Sequence, residues 1–358
     1  LSFEEHILNL IKAKGLISVE EFMNIALTGK EESYYINNIP LGRKGDFITA
    51  PEISQLFGET IAIWAMLAWE KLQKPSKFNL IELGPGQGTL MRDILRSTDQ
   101  FLEFYSSIEQ ITLIECNKKL IKGQAELLNN FGKKIIWAEN IFQIQTDLPS
   151  IIIANEFLDA LPIKQYIKKA DEWYEIMIGS ESNNEIKFIE RALIESEATF
   201  LKMEYGHLKD GDIIETSYEA LKVVQYIMQQ LLESKGAAII IDYGYNRKKS
   251  NQLNYISSLQ GVKNHHYHPI LEDIGKTDLS AMVDFERLIN VLENNQCTQY
   301  EYLTQKEFLL KYGISLRFKK LLNLIPNSAQ DSLFFGYDRL INADKMGNLY
   351  KALEFYIF

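Results

Sequence analysis

FNLIELGPGQGTLMRDILR, running from Phe78 to Arg96, is the stretch that decides how this chain folds. An apolar run from Phe78 to Leu83 ends in glycines at alternating positions, Gly84, Gly86 and Gly88. A helical pattern follows, with Leu90, Ile94 and Leu95 on one face. Strand, tight turn and helix in that order let backbone approach a nucleotide-like ligand closely. The fold class this predicts is α/β, a Rossmann-like doubly wound sheet.

Glu82 decides which nucleotide-like ligand. A dinucleotide site needs G-x-G-x-x-G, and Thr89 stands at the third glycine position. A pyrophosphate on the helix N-terminus would also be repelled by a carboxylate at the strand end. Glu82 suits a cation instead. S-adenosylmethionine carries an ammonium and a sulfonium where dinucleotides carry phosphates, so E-x-G-x-G-x-G reads as the first motif of a methyltransferase using that cofactor. Glu82, Gly84, Pro85, Gly86 and Gly88 are the expected cofactor contacts. The competing readings are an ordinary glycine-rich turn and a nucleotide-dependent oxidoreductase, which Glu82 and Thr89 disfavour.

Working outward, 358 residues with 46% hydrophobic and 24% charged content describe a globular chain with one sizeable core and an inserted lobe. Residues 1–75 read as a helical region covering the active site. Ser18 is the expected N-cap of one of its helices, with Glu21 as capping-box partner, and Pro51 opens a long helix toward Lys71. Residues 76–358 form the expected core, with strands at Phe78–Leu83, Ile111–Ile114, Lys134–Trp137, Ile151–Ala154 and Ala237–Ile241. A β-rich insertion is expected over 163–217 and a lid or helical insertion over 250–285. Gln299–Leu303 and Lys351–Phe358 supply two last, antiparallel strands.

No apolar run reaches the roughly 18–20 residues a bilayer needs, and Ile61–Trp69 reads as a buried helix. The acidic start predicts neither secretory signal nor transit peptide, hence a cytoplasmic protein. Cys116 and Cys297 have no metal-site spacing and are expected as buried thiols. A net charge of −10 argues against nucleic acid and favours basic partners, such as an arginine-bearing protein segment.

Chemistry concentrates at predicted strand ends. Glu115 closes the second strand, where a carboxylate accepts both ribose hydroxyls. Glu139-Asn140 follows the third, with Asn140 at the adenine edge. The fourth runs into Asn155-Glu156-Phe157-Leu158-Asp159-Ala160-Leu161-Pro162. Asn155 is assigned to the cofactor; Glu156 and Asp159 are assigned to catalysis. A carboxylate pair holds a guanidinium fork and localises its charge away from the attacking nitrogen. The alternative is that Glu156 and Asp159 cap the next helix. Asp46, Thr49, Pro51, Glu52 and Ser54 belong to a loop that could close over the ligand. Asp242 and Tyr243, at the fifth strand's end, are further substrate-side candidates. His265, His266 and His268 read as a surface lid rather than a metal site, and no metal is expected. Asp278 and Asp284 read as helix caps.

With these residues in place, the chain resembles the MidA-like S-adenosylmethionine-dependent methyltransferases, bacterial relatives of a mitochondrial complex I assembly factor. The resemblance rests on GDFITAPEISQLFGE (Gly45–Glu59), ELGPGQGTLMRDILR (Glu82–Arg96), ANEFLDALPIKQ (Ala154–Gln165) and GDIIETS (Gly211–Ser217). It extends through IDYGY (Ile241–Tyr245), TDLSAMVDF (Thr277–Phe285) and MGNLYKAL (Met346–Leu353). It implies a Rossmann-like fold with N-terminal helices and an inserted lobe, and a cofactor held by Glu82, Gly84, Gly86 and Glu115. In the mitochondrial members it further implies arginine methylation of a peripheral-arm subunit of the NADH:ubiquinone oxidoreductase; the alternatives are methylation of a small molecule or another side chain, and a cofactor-binding assembly chaperone without catalysis. Met282 departs from the pattern, which is expected to carry His there.

Overall fold

The computed structural model describes residues 3–29, 32–37, 49–181, 184–249 and 255–358. The chain opens with α1 (Phe3–Lys14), a short strand β1 (Ile17–Ser18), α2 (Val19–Leu27), α3 (Tyr34–Asn37), α4 (Ala50–Ile53) and α5 (Gln55–Lys71). There follow β2 (Phe78–Leu83), α6 (Thr89–Thr98), α7 (Leu102–Ser107), β3 (Ile108–Ile114), α8 (Lys118–Leu128), β4 (Ile135–Ala138) and β5 (Ser150–Asn155). Next come β6 (Lys164–Lys169), β7 (Glu172–Ser180), β8 (Ile186–Ala192), α9 (Glu195–Tyr205), β9 (Ile213–Thr216), α10 (Tyr218–Ser234) and β10 (Gly236–Tyr245). The last part holds β11 (Gln260–Lys263), β12 (His266–His268), β13 (Asp278–Ser280), β14 (Val283–Asp284), α11 (Phe285–Asn294) and β15 (Tyr300–Thr304). It ends with α12 (Gln305–Lys311), α13 (Ile314–Leu322), α14 (Asn327–Ile341) and β16 (Tyr350–Ile357).

The central sheet runs β15-β16-β10-β5-β2-β3-β4. From β10 to β4 every pairing is parallel, and β16 and β15 close the far edge antiparallel. All six residues of β2 and of β5 are buried, the signature of strands covered on both faces. The pleat sends Leu80, Ile151 and Ile153 into one core, with α5 and α6, and Ile81, Ile152 and Ala154 into the other, with α10 and α11. The order of strand addition reverses between β2 and β5, since β3 and β4 extend the sheet one way from β2 and β5 and β10 the other, all of them parallel. That switch point is where an open α/β sheet leaves a crevice beyond its strand ends.

A second, antiparallel sheet runs β1-β7-β6-β9 with β8 on β7. Because β1 pairs with β7, the N-terminal region and residues 164–216 share one sheet. Ile7, Ile11, Phe22 and Met23 pack with Ile163, Ile178 and Leu279 in one core. Several local expectations change. The helix expected from Pro51 to Lys71 breaks at Ser54, whose extended backbone ends α4 and whose hydroxyl accepts the Leu56 N–H at 3.3 Å. The lid or helical insertion expected over 250–285 contains β11, β12 and β13, which form a three-stranded sheet. Asp278 lies in β13 rather than at a helix start, whereas Asp284 does cap α11, accepting the N–H groups of Glu286 and Arg287. Among the described residues no helix is long and apolar enough to cross a membrane, and no group of His, Cys, Asp and Glu is placed to hold a metal.

Candidate functional site

A cavity of about 800 Å³ lies over the switch point. Its described lining includes eight glutamates (Glu20, Glu21, Glu52, Glu82, Glu115, Glu139, Glu156 and Glu219) against one lysine, Lys222. Such a space favours cations.

The glycine turn forms one wall. Gly84 has φ +65°, and a Cβ there would stand 2.8 Å from the Phe157 ring, so this position requires glycine. Glu82, 2% exposed near the end of β2, lines the cavity, and its Oε2 is buried with no hydrogen-bond partner. Burial, and then the neighbouring Glu115 carboxylate, push Glu82 up to about 8. Glu115, just past β3, is better held. Its Oε1 accepts the Asn117 N–H at 2.8 Å and its Oε2 the Gln124 amide at 3.3 Å, while burial pushes it up to about 7. Gln124 also donates to the Gly86 carbonyl at 2.7 Å and accepts from the Trp137 indole at 2.7 Å, tying the turn to β4. Asn140 lines the cavity at the start of the short turn after β4.

The opposite wall begins at the end of β5. Glu156 holds φ +49°, a strained backbone for a non-glycine residue, and its N–H donates to the Ile241 carbonyl at 2.8 Å. Its Oε1 accepts the Ala50 N–H at 2.8 Å and the Asn155 amide at 3.3 Å. Its Oε2 accepts the Tyr350 hydroxyl at 3.3 Å. Burial raises Glu156 above the ordinary carboxylate range. Thr49, Pro51 and Glu52 reach the same cavity from α4. Glu52 is pushed up to about 7 by burial and by Glu156, and its Oε2 is buried without a partner.

The cavity therefore brings together Glu82, Gly84, Pro85, Gly86, Glu115, Asn140, Asn155, Glu156, Thr49, Pro51 and Glu52. Asp46 lies outside the described residues. Gly88, Ser54, Asp159, Asp242 and Tyr243 are not among the described lining. Gly88 is the N-cap of α6 and faces Gln124, while the Ser54 hydroxyl caps α5. Asp242 is fully buried beneath the site, and its Oδ2 accepts the N–H groups of Phe157, Leu158 and Asp159 at 3.2, 2.9 and 3.2 Å. Capping of the turn after β5 thus falls to Asp242 on the neighbouring strand, not to Glu156 or Asp159. Burial and the neighbouring Glu156 raise Asp159, and its carbonyl accepts the Ala281 N–H at 2.9 Å. The Tyr243 hydroxyl is bonded to Ser280 at 2.9 Å. Met282 lines a separate cavity of about 30 Å³, away from the acidic one.

Sequence reading missed several neighbours of the site. Tyr35 lines the cavity, its hydroxyl bonds Asp278, and its carbonyl accepts the Asn117 amide at 2.7 Å. Gln124 carries no sequence signal beyond being a polar residue in a helix. Tyr350 lay within MGNLYKAL, without a role.

Residues 60–303 match a family described as S-adenosyl-L-methionine-dependent methyltransferases. The chain belongs to this family. Curated relatives of this methyltransferase are named protein arginine methyltransferase NDUFAF7, mitochondrial. The Danio rerio protein is 34% identical over 98% of this chain and 86% of its own length. The Homo sapiens protein is 31% identical over 96% and 80%. Motifs and relatives together make it a MidA-like methyltransferase. A Burkholderia thailandensis protein crystallised with S-adenosyl-homocysteine shares the fold, at TM-score 0.83 and 22% identity, covering 99% of this chain and 92% of that one. A native crystal structure of a Burkholderia thailandensis protein gives TM-score 0.84 at 21% identity over 99% and 91%. S-adenosylmethionine is the cofactor of this methyltransferase, and the cavity's chemistry fits it: a buried, unpartnered carboxylate for an ammonium and an acidic lining for a net cation.

Proposed function

We propose that this methyltransferase transfers a methyl group to an arginine of a protein, a peripheral-arm subunit of the NADH:ubiquinone oxidoreductase, in the bacterial cytoplasm. The observation that carries the arginine reading is the convergence of Glu52 and Glu156 on one cavity wall from positions far apart in the chain, each raised by burial. Two carboxylates close enough to perturb one another are stabilised by a delocalised cation between them. The arginine methyltransferases named above support the reading, and the motif resemblance supports the respiratory acceptor.

When bound, S-adenosylmethionine supplies an electrophilic methyl on a sulfonium. Glu82 would hold its ammonium, Glu115 would accept from its ribose hydroxyls, and Asn140 would meet its adenine edge. Glu156, fixed by the Ala50 N–H and Tyr350, draws guanidinium charge away from the attacking nitrogen. Methyl transfer to that nitrogen would leave one nitrogen-bound proton to be lost, and the unpartnered Glu52 oxygen is available to accept it. Alignment supplies most of the acceleration.

The test is transfer of labelled methyl to purified peripheral-arm subunits, with the product located by mass spectrometry. Monomethyl- or dimethylarginine is expected, and Glu156→Gln should abolish it while leaving cofactor affinity intact. Label on lysine or on a small molecule would overturn the arginine reading. Cofactor binding without transfer to any arginine would instead make the protein a cofactor-dependent assembly factor.

A further inference from the structure

The lone pairs around Glu156 set a limit that a carboxylate pair alone does not meet. Each carboxylate oxygen accepts about two hydrogen bonds. Glu156 Oε1 already receives the Ala50 N–H and the Asn155 amide, so it has no capacity left. Oε2 receives Tyr350 and has room for one more donor. Glu156 cannot take both prongs of a guanidinium fork in this arrangement.

The remaining acceptor capacity lies beside it. Asn155 ends β5 at 7% exposure, lines the cavity, and its Oδ1 is buried without a partner. Its Nδ2 donates to the Glu156 carboxylate, which assigns the amide's orientation and leaves Oδ1 as the unpartnered end. A buried acceptor left without a donor is unfavourable, and a ligand N–H would relieve it.

We propose that Asn155 is a specificity-determining residue for the methyl acceptor, its Oδ1 taking an N–H of the attacking guanidinium nitrogen while Glu52 and Glu156 take N–H groups of the other two. This rests on the arginine reading above and replaces a cofactor role for Asn155. The division has a chemical purpose. A neutral amide on the attacking nitrogen orients it without drawing positive charge to it, while the two carboxylates draw that charge to the far side. A guanidinium presents its donors on three nitrogens in a planar fork, whereas a primary ammonium presents all of its donors from one atom, so three separate acceptors favour the guanidinium.

The experiment uses the full chain loaded with S-adenosyl-homocysteine and titrated with ethylguanidine or butylamine, alongside cofactor titrations. Wild type should bind ethylguanidine more tightly than butylamine. Asn155→Ala should lower ethylguanidine affinity about tenfold or more, with cofactor affinity within about twofold of wild type. Asn155→Asp keeps an acceptor oxygen but loses the amide donated to Glu156, so it should retain ethylguanidine binding. Equal loss in both variants would show that Asn155 acts only by holding Glu156, and would overturn the proposal. So would loss of cofactor affinity with ethylguanidine binding unchanged. Wild type that prefers butylamine, or binds neither probe, would sink the arginine reading itself, and the proposal with it.

Discussion

Glu82 and Asp242 flank β5 on either side, at 2% and 0% exposure, and differ in almost everything else. Asp242 is fully used by the protein: three backbone N–H groups meet Oδ2, and the Tyr243 N–H meets Oδ1 at 2.9 Å. Glu82 Oε2 meets nothing. Two buried carboxylates on the same sheet therefore divide between scaffold and ligand site. Burial and charge do not separate them; the tally of satisfied partners does.

The sharpest way to break that contrast is to remove each group. Asp242→Ala strips the acceptor from four backbone N–H groups and should lower stability by about 3 kcal/mol, read by denaturant unfolding. Methyl transfer should fall with it, because the turn after β5 carries Glu156. Glu82→Gln removes a carboxyl whose Oε2 the protein leaves without a partner. It should weaken S-adenosylmethionine binding about 10- to 100-fold, as expected for a lost charge-assisted hydrogen bond, and leave the ligand-free protein at least as stable. If Glu82→Gln destabilised the ligand-free protein as Asp242→Ala does, both carboxylates would be structural.

Acidity sharpens the same comparison with a smaller effect. Glu82 titrates at about 8 in the folded protein, against 4.5 in an unfolded chain. The folded state then binds more protons between those values, so the contribution of Glu82 to stability is greatest below about 4.5 and falls as pH rises toward 8. Glu52 and Glu115, both at about 7, act in the same direction over a narrower window. An ammonium on Glu82 reverses the preference, so cofactor binding should release protons near neutral pH and tighten as pH rises to about 8. Calorimetry in two buffers of different ionisation heat measures that release, and Glu82→Gln should reduce it. Proton uptake on binding would contradict a cation at Glu82.

How much of this was legible beforehand follows the range of the forces involved. β2, its glycine turn and α6 are adjacent in sequence, and the doubly wound sheet followed from that unit and from apolar runs such as Ile151–Ala154. The strand-end carboxylates were legible because strand ends can be located by where the apolar runs stop. Their division of labour was not. Asp242 caps a turn 83 to 85 residues away, and Ala50 meets Glu156 across 106 residues. Tyr35 and Gln124 were invisible for the same reason, since a tyrosine in a short helix and a glutamine in a long one carry no local mark of what they face. The break at Ser54 was missed because Thr-x-Pro-Glu signals a helix start equally well for four residues or twenty.

The smallest test concerns the glycines of the turn, which the sequence presents as equals. Gly84 faces Phe157 across the cavity wall, whereas Gly88 lies behind it, with Gln124 Cγ 3.3 Å from where a Cβ would sit. Gly88 holds φ +79°, so Gly88→Ala should cost roughly 1–2 kcal/mol of stability from left-handed backbone alone. The flexible Gln124 side chain can yield to the added methyl, leaving cofactor affinity within about threefold of wild type. Gly84→Ala carries the same backbone strain, and its methyl would stand 2.8 Å from a ring carbon of Phe157, so affinity should fall as well as stability. Equal affinity losses in the two variants would place Gly88 against the cofactor after all, and make the turn a single binding surface rather than a wall with a supporting hinge.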